Sequence, residues 1–127
     1  LKVVKSSKNN KQKNLKIKKR NLLLVQKGLL GVVNERGGTG FHAFDDGQLA
    51  GKTGTAQVIS KSSREYNLGK FKNHGWYTSY YPYTNPKIVI TVFVENGISG
   101  GSSGGPIIKR IVKYYKKNYM SNKGETN

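Results

Sequence analysis

Between residues 20 and 35 the apolar positions Leu22, Leu23, Val25, Leu29, Leu30 and Val33 recur near helical spacing, so RNLLLVQKGLLGVVNE predicts an amphipathic helix with one buried stripe. Gly28 and Gly31 sit inside it. Each costs about 1 kcal/mol against alanine in an exposed helix, which predicts close packing against a neighbour at those positions. GGTG at 37–40 ends the segment. After LAGKTGTAQV (49–58), where Ala56, Val58 and their neighbours read as a strand, a polar loop SKSSREYNLGKFKN leads to the aromatic run HGWYTSYYPY. Aromatic residues favour strands, and Pro82 limits how far a central ladder can run. TNP is a turn, and KIVITVFVEN then alternates, with Ile88, Ile90, Val92 and Val94 on one side and Val89, Thr91 and Phe93 on the other. Both sides are largely apolar, which predicts a strand covered on both faces.

GISGGSSGG (97–105) reads as a flexible strand-to-helix linker. Its glycines ahead of a helix also suit a phosphate cradle, but the Walker lysine followed by Ser or Thr is missing. Pro106 fits the first turn of a helix. That helix would place Ile107, Ile108, Ile111, Val112 and Tyr115 on one face and Lys109, Arg110, Lys113, Lys116 and Lys117 on the other. A basic amphipathic helix can lie on a membrane, whereas the apolar strand just upstream argues for a helix docked on a sheet. The predicted order is helix, strand, strand, strand, helix, with the last two strands antiparallel: an α+β layer.

Composition narrows this picture. With 127 residues, 23 Lys and Arg against 6 Asp and Glu, and a formal charge of +17, the chain is one small domain with a strong basic excess. Such an excess ordinarily marks a nucleic-acid or anionic-surface partner. Here the cations are spread over both ends among asparagines, without a recognised module, and no nucleic acid is expected. The first twenty residues hold nine of the 23 basic residues and no acid. Residues 1–18 therefore read as a basic disordered segment, 19–118 as the ordered part and 119–127 as a polar tail. No cysteine is present, and His42 and His74 lack ligand spacing, so neither metal nor cofactor is expected. No signal-like or membrane-spanning apolar run appears. The start at Leu1 hints at a piece of something longer.

The candidate chemistry lies in LAGKTGTAQV. Two glycines, Gly51 and Gly54, in a strand cost backbone entropy and offer nothing to pack, which implies that something approaches the backbone closely. Lys52, Thr53 and Gly54 form the lysine-threonine-glycine triplet found among the signatures of penicillin-binding proteins and serine β-lactamases. The succession of KTGTAQ, an aromatic strand ending YYPYTNPKIVITVFVENG, and GGPIIKRIVKYY resembles the C-terminal end of the transpeptidase domain of class B penicillin-binding proteins. Within that class it is most similar to the penicillin-binding protein 2 group, the elongation-type peptidoglycan D,D-transpeptidases. LVQKGLLGVVNERGGTG looks like the helix that precedes the lysine strand, and the resemblance covers roughly residues 15–117.

The resemblance implies three strands of a five-stranded antiparallel transpeptidase/β-lactamase-like sheet, packed with an upstream and a C-terminal helix as an incomplete domain. It implies peptidoglycan stem peptides and β-lactams as ligands, and the missing N-terminal part of the same domain as partner. It also implies a place on the periplasmic side of the bacterial inner membrane. On an edge strand beside a cleft, Lys52 would supply positive charge and Thr53 a hydroxyl to a carboxylate, and Gly54 would admit the substrate backbone. In the family, the residue at Thr55 donates its N–H to the oxyanion hole and its side chain to substrate. The sequence departs from the family in having no S-x-x-K, the segment that carries the nucleophilic serine. Ser7-Lys8-Asn9 fits S-x-N by letter but lies in a Lys/Asn tract too close to Lys52. No catalytic residue is therefore assigned, and a chain inactive alone is expected. The alternatives are a serine β-lactamase-related fragment and a basic nucleic-acid- or membrane-surface-binding module.

Overall fold

In a computed structural model, which describes residues 16–41, 43–60, 62, 64 and 72–120, the predicted order of elements is present. These are α1 (Lys19–Asn34), β1 (Ala50–Ala56), β2 (His74–Tyr81), β3 (Ile88–Val94) and α2 (Gly100–Tyr115), followed by a π-helical turn at Lys116–Met120. His42, most of the loop at 60–73, and residues 1–15 and 121–127 of the expected basic segment and tail lie outside the described residues. The strands form one antiparallel sheet in the order β1-β2-β3. Lys52 stands opposite Thr78, and Thr78 opposite Thr91. β1 stops at Ala56, so Val58 is outside the strand predicted around it.

Because side chains alternate along a strand, one sheet face collects Tyr77, Tyr81, Ile90 and Val92, and these are buried with Ile108 and Val112 of α2 and Val33 of α1. The other face is open. Trp76, Val89 and Phe93 are 43%, 71% and 48% exposed, so the expectation that β3 is covered on both sides fails among the described residues. The stripe of α1 is likewise shorter than its periodicity implies. Val33 is buried, but Leu22, Leu23 and Val25 are exposed, because only the C-terminal end of α1 reaches the sheet. There Asn34 Nδ2 donates to Leu30 O at 2.8 Å and to Leu49 O at 3.0 Å, tying the helix end to the approach to β1. Among the described residues a Cβ at Gly28 would meet nothing within 4 Å, and one at Gly31 would first meet the Glu35 carboxyl of the same segment at 3.0–3.1 Å, not a packed neighbouring element.

The glycine-rich stretch predicted as a linker is the first part of α2, and Pro106 lies inside the helix. Two glycines give the reason. A Cβ at Gly100 would run into the carbonyl of Trp76, and one at Gly104 would come within 2.8 Å of Tyr77 Cβ. The helix start lies so close to β2 that a side chain does not fit, and contact with the sheet outweighs the poor helix propensity of glycine. Ser99 caps it by accepting from the Ser102 N–H at 3.3 Å. Ile108 and Val112 face the sheet, but Ile107 and Ile111 of the predicted apolar face are 40% and 36% exposed.

A polar clamp closes the far end. Asp46 Oδ2 accepts from Tyr81 Oη at 2.6 Å and from Lys116 Nζ at 2.8 Å, while Oδ1 accepts from the Gln48 N–H at 2.9 Å. Lys116, assigned by periodicity to the solvent side of the last helix, instead bridges to the loop before β1 and stands 5.5 Å from the Phe44 ring centroid. It lies four residues after the buried Val112 and eight after Ile108, so helical spacing itself puts it on the stripe that faces the sheet, at the start of the π-helical turn.

Candidate functional site

The two glycines that bracket Lys52 have different neighbours. Gly51 lies over Tyr77, where an added Cβ would sit 2.8 Å from the ring and 2.7 Å from the Thr78 carbonyl. Gly54 stands opposite Trp76, whose Cβ would be 3.3 Å away. Part of the glycine spacing is thus internal, making room for two aromatic residues of β2. Tyr77 is fully buried, its hydroxyl donates to the Gly40 carbonyl at 3.4 Å, and burial pushes its pKa up to about 12. β1 in turn is held in place from behind by a neutral, immobile ring.

β1 occupies an edge of the sheet, with β2 on one side. Lys52 is exposed, and its Nζ donates to the Thr53 carbonyl at 2.7 Å. An ammonium has three donors, so this bond holds the cation against its own strand and leaves protons for a ligand. Thr53 is half-buried, and its Oγ1 lies 2.6 Å from Oγ1 of Thr39, on the loop after α1. Thr55 is exposed further along β1. The four residues expected from the triplet and its extension therefore follow one another on an edge strand.

Beside that strand lies an open cleft of about 770 Å³ between β1 and the C-terminal part of α1, and Lys27, Glu35, Arg36, Thr39 and Lys52 are among its lining residues. Three cations against one carboxylate make it a place for an anionic group. The sequence reading did not single out Thr39, Arg36 or Lys27. Only the glycines on either side of Thr39 mark it in the sequence, and nothing there predicts that it reaches a residue fourteen positions later. Among the described residues no helix is long and apolar enough to cross a membrane.

Comparison with known proteins follows the same line. Residues 1–113 match the penicillin binding protein transpeptidase domain family. The chain is 43% identical over 98 residues to the peptidoglycan D,D-transpeptidase MrdA of Haemophilus influenzae, covering 72% of this chain and 15% of that protein. Among solved structures it is similar to the penicillin-binding protein PBP2 of Helicobacter pylori in complex with MreC, at 34% identity and a TM-score of 0.64, covering 89% of this chain and 21% of that one. It is also similar to Pseudomonas aeruginosa PBP2 in complex with WCK 5153, at 28% identity and a TM-score of 0.61, covering 79% and 20%. The chain thus spans about a sixth of the length of its curated relative. These matches support the predicted three-stranded part of a transpeptidase fold and favour neither the nucleic-acid, the membrane-surface nor the β-lactamase alternative.

Proposed function

The chain belongs to the penicillin-binding protein transpeptidase family, and from that premise we propose that β1 forms one wall of a peptidoglycan D,D-transpeptidase site. In this reading Lys52 and Thr53 hold the terminal carboxylate of a stem peptide or the acid group of a β-lactam. The Thr55 N–H donates to the oxyanion as it forms, and Gly54 keeps the strand edge clear. The serine nucleophile and its lysine come from a part of the domain outside these 127 residues, since no S-x-x-K occurs among them. The site works on the periplasmic face of the inner membrane, and an MreC-like protein, as in the H. pylori complex, is a partner of the assembled enzyme.

The observation that supports the reading is the placement of Lys52 on the sheet edge, lining a cleft that adds Lys27, Arg36 and Thr39, the last of which reaches the Thr53 hydroxyl. The test has two arms. Incubated alone with a fluorescent penicillin and then denatured, the chain should carry no label, because acylation needs the serine and base of the missing segment. Placed in H. influenzae MrdA in place of the matching segment, it should restore labelling. There Thr53→Val should slow acylation about a hundredfold, the loss of about 3 kcal/mol that follows removal of one such donor. Stoichiometric labelling of the isolated chain, or a Thr53→Val graft that acylates at the parental rate, would overturn the assignment.

A further inference from the structure

The triplet names Thr53, but the hydroxyl of Thr53 does not stand alone. Its Oγ1 lies 2.6 Å from Oγ1 of Thr39, a residue of the loop between α1 and β1. That loop is fixed on several sides. Gly38 N–H donates to Glu35 O, Gly40 N–H to Val32 O, Phe41 N–H to Gly38 O and Ala43 N–H to Gly40 O, each at 3.0 Å. The buried Tyr77 hydroxyl holds the Gly40 carbonyl from below. The Thr39 carbonyl packs against Gly101 at the start of α2 so closely that a Cβ there would collide with it. Thr39 is thus carried on backbone anchored to α1, β2 and α2 together, whereas Thr53 sits on an edge strand with one paired side.

A hydroxyl has one proton to give and lone pairs to receive with. If Thr53 is to donate that proton to a ligand carboxylate, its oxygen must accept from elsewhere, and Thr39 is in position to supply the second proton. We infer that Thr39 is a positioning residue: it donates to Thr53 Oγ1, fixes the rotamer of that side chain, and turns the Thr53 proton toward the carboxylate of the substrate. Two hydroxyls in series also polarise one another, so the outer donor is stronger than an isolated threonine. The inference rests on the reading of Thr53 as a carboxylate donor.

A double-mutant cycle tests it in the graft of the whole chain into H. influenzae MrdA, read as the second-order rate of acylation by benzylpenicillin with the thermal midpoint measured alongside. Thr39→Val keeps the volume and removes the donor, and should slow acylation about tenfold, the size expected for one lost hydrogen bond. Thr39→Ser restores the donor and should return the rate to near the parental value. Thr39→Val combined with Thr53→Val should be no slower than Thr53→Val alone, because Thr39 acts only through Thr53. Two effects that multiply would show that Thr39 acts elsewhere, as would a Thr39→Val variant at the parental rate or a Thr39→Ser variant as slow as Thr39→Val; each overturns the inference. Failure of the underlying reading is separately visible, as a Thr53→Val variant that does not slow.

Discussion

At the residue scale, Asp46 shows how one carboxylate joins three parts of the chain: its own loop through Gln48, β2 through Tyr81, and the end of the last helix through Lys116. Burial pushes its pKa up, but the hydrogen bonds from Lys116, Tyr81 and Gln48 outweigh burial and hold it below the usual carboxylate value of 3.8. Lys116 is raised in return, chiefly by its bond to Asp46. A carboxyl depressed in the folded state contributes stability that is present in full above its unfolded value and is lost as pH falls through the folded one. Asp46→Asn should therefore cost at most about 1.5–3 kcal/mol at pH 7, the range for hydrogen bonds to a charged group, and less to the extent that solvent screens the exposed Lys116. As pH falls through the folded-state value of Asp46, which lies below 3.8, the parent and the variant should converge. Thermal midpoints of the two forms in the H. influenzae MrdA graft, at pH 7 and at a pH below the folded-state value, check both halves, and a gap of equal size at the two pH values would show that charge is not the origin of the effect.

At the element scale, the close seat of α2 on β2 makes the glycine pair at its start the sensitive point. Gly104→Ala places a methyl 2.8 Å from Tyr77 Cβ, so helix or ring must shift; overpacking of this kind costs about 1–3 kcal/mol, whereas helix propensity alone would make the same change a gain. The sign of the shift in thermal midpoint, measured in the H. influenzae MrdA graft, decides between them. The same contrast explains what the sequence made legible. β3 follows from alternation and β2 from aromatic density, whereas β1, expected around Ala56 and Val58, runs over Ala50–Ala56 instead. The start of α2 was hidden because Gly-Ser composition signals a linker, and only the distance to the sheet reveals why a side chain is excluded. Periodicity correctly found α1 but not its partner, so Leu22, Leu23 and Val25 were assigned to a stripe of which only Val33 is buried. Lys116 is misassigned because its charge, not its spacing, sets the expected face: it lies four residues after the buried Val112, on the stripe that faces the sheet. Lys52, Thr53, Gly54 and Thr55 are singled out by letter, whereas the contact of Thr39 with Thr53 joins a loop to a strand, which no local pattern encodes.

At the scale of the whole molecule, the sheet has two outer edges without a partner strand among the described residues, and one open apolar face. β3 runs IVITVFV along one of those edges with neither charge nor proline, the composition of a segment that pairs with copies of itself. The isolated chain should associate at micromolar concentration and unfold without a sharp transition. Thr91→Lys, on the open face and away from the core, should reduce that association. Light scattering and calorimetry measure both, and a monodisperse parent with a cooperative transition would refute the expectation. The open face also carries the chain's single tryptophan, Trp76, tilted against Phe93 with ring centroids 4.6 Å apart and directly across from Gly54. The protein therefore has a built-in optical reporter. Indole emission moves to shorter wavelength when water is removed from the ring, so docking of the rest of the domain over this face should appear as a blue shift of intrinsic fluorescence. Because Gly54 is its cross-strand neighbour, occupation of the lysine strand by a ligand should alter the same signal without any added dye.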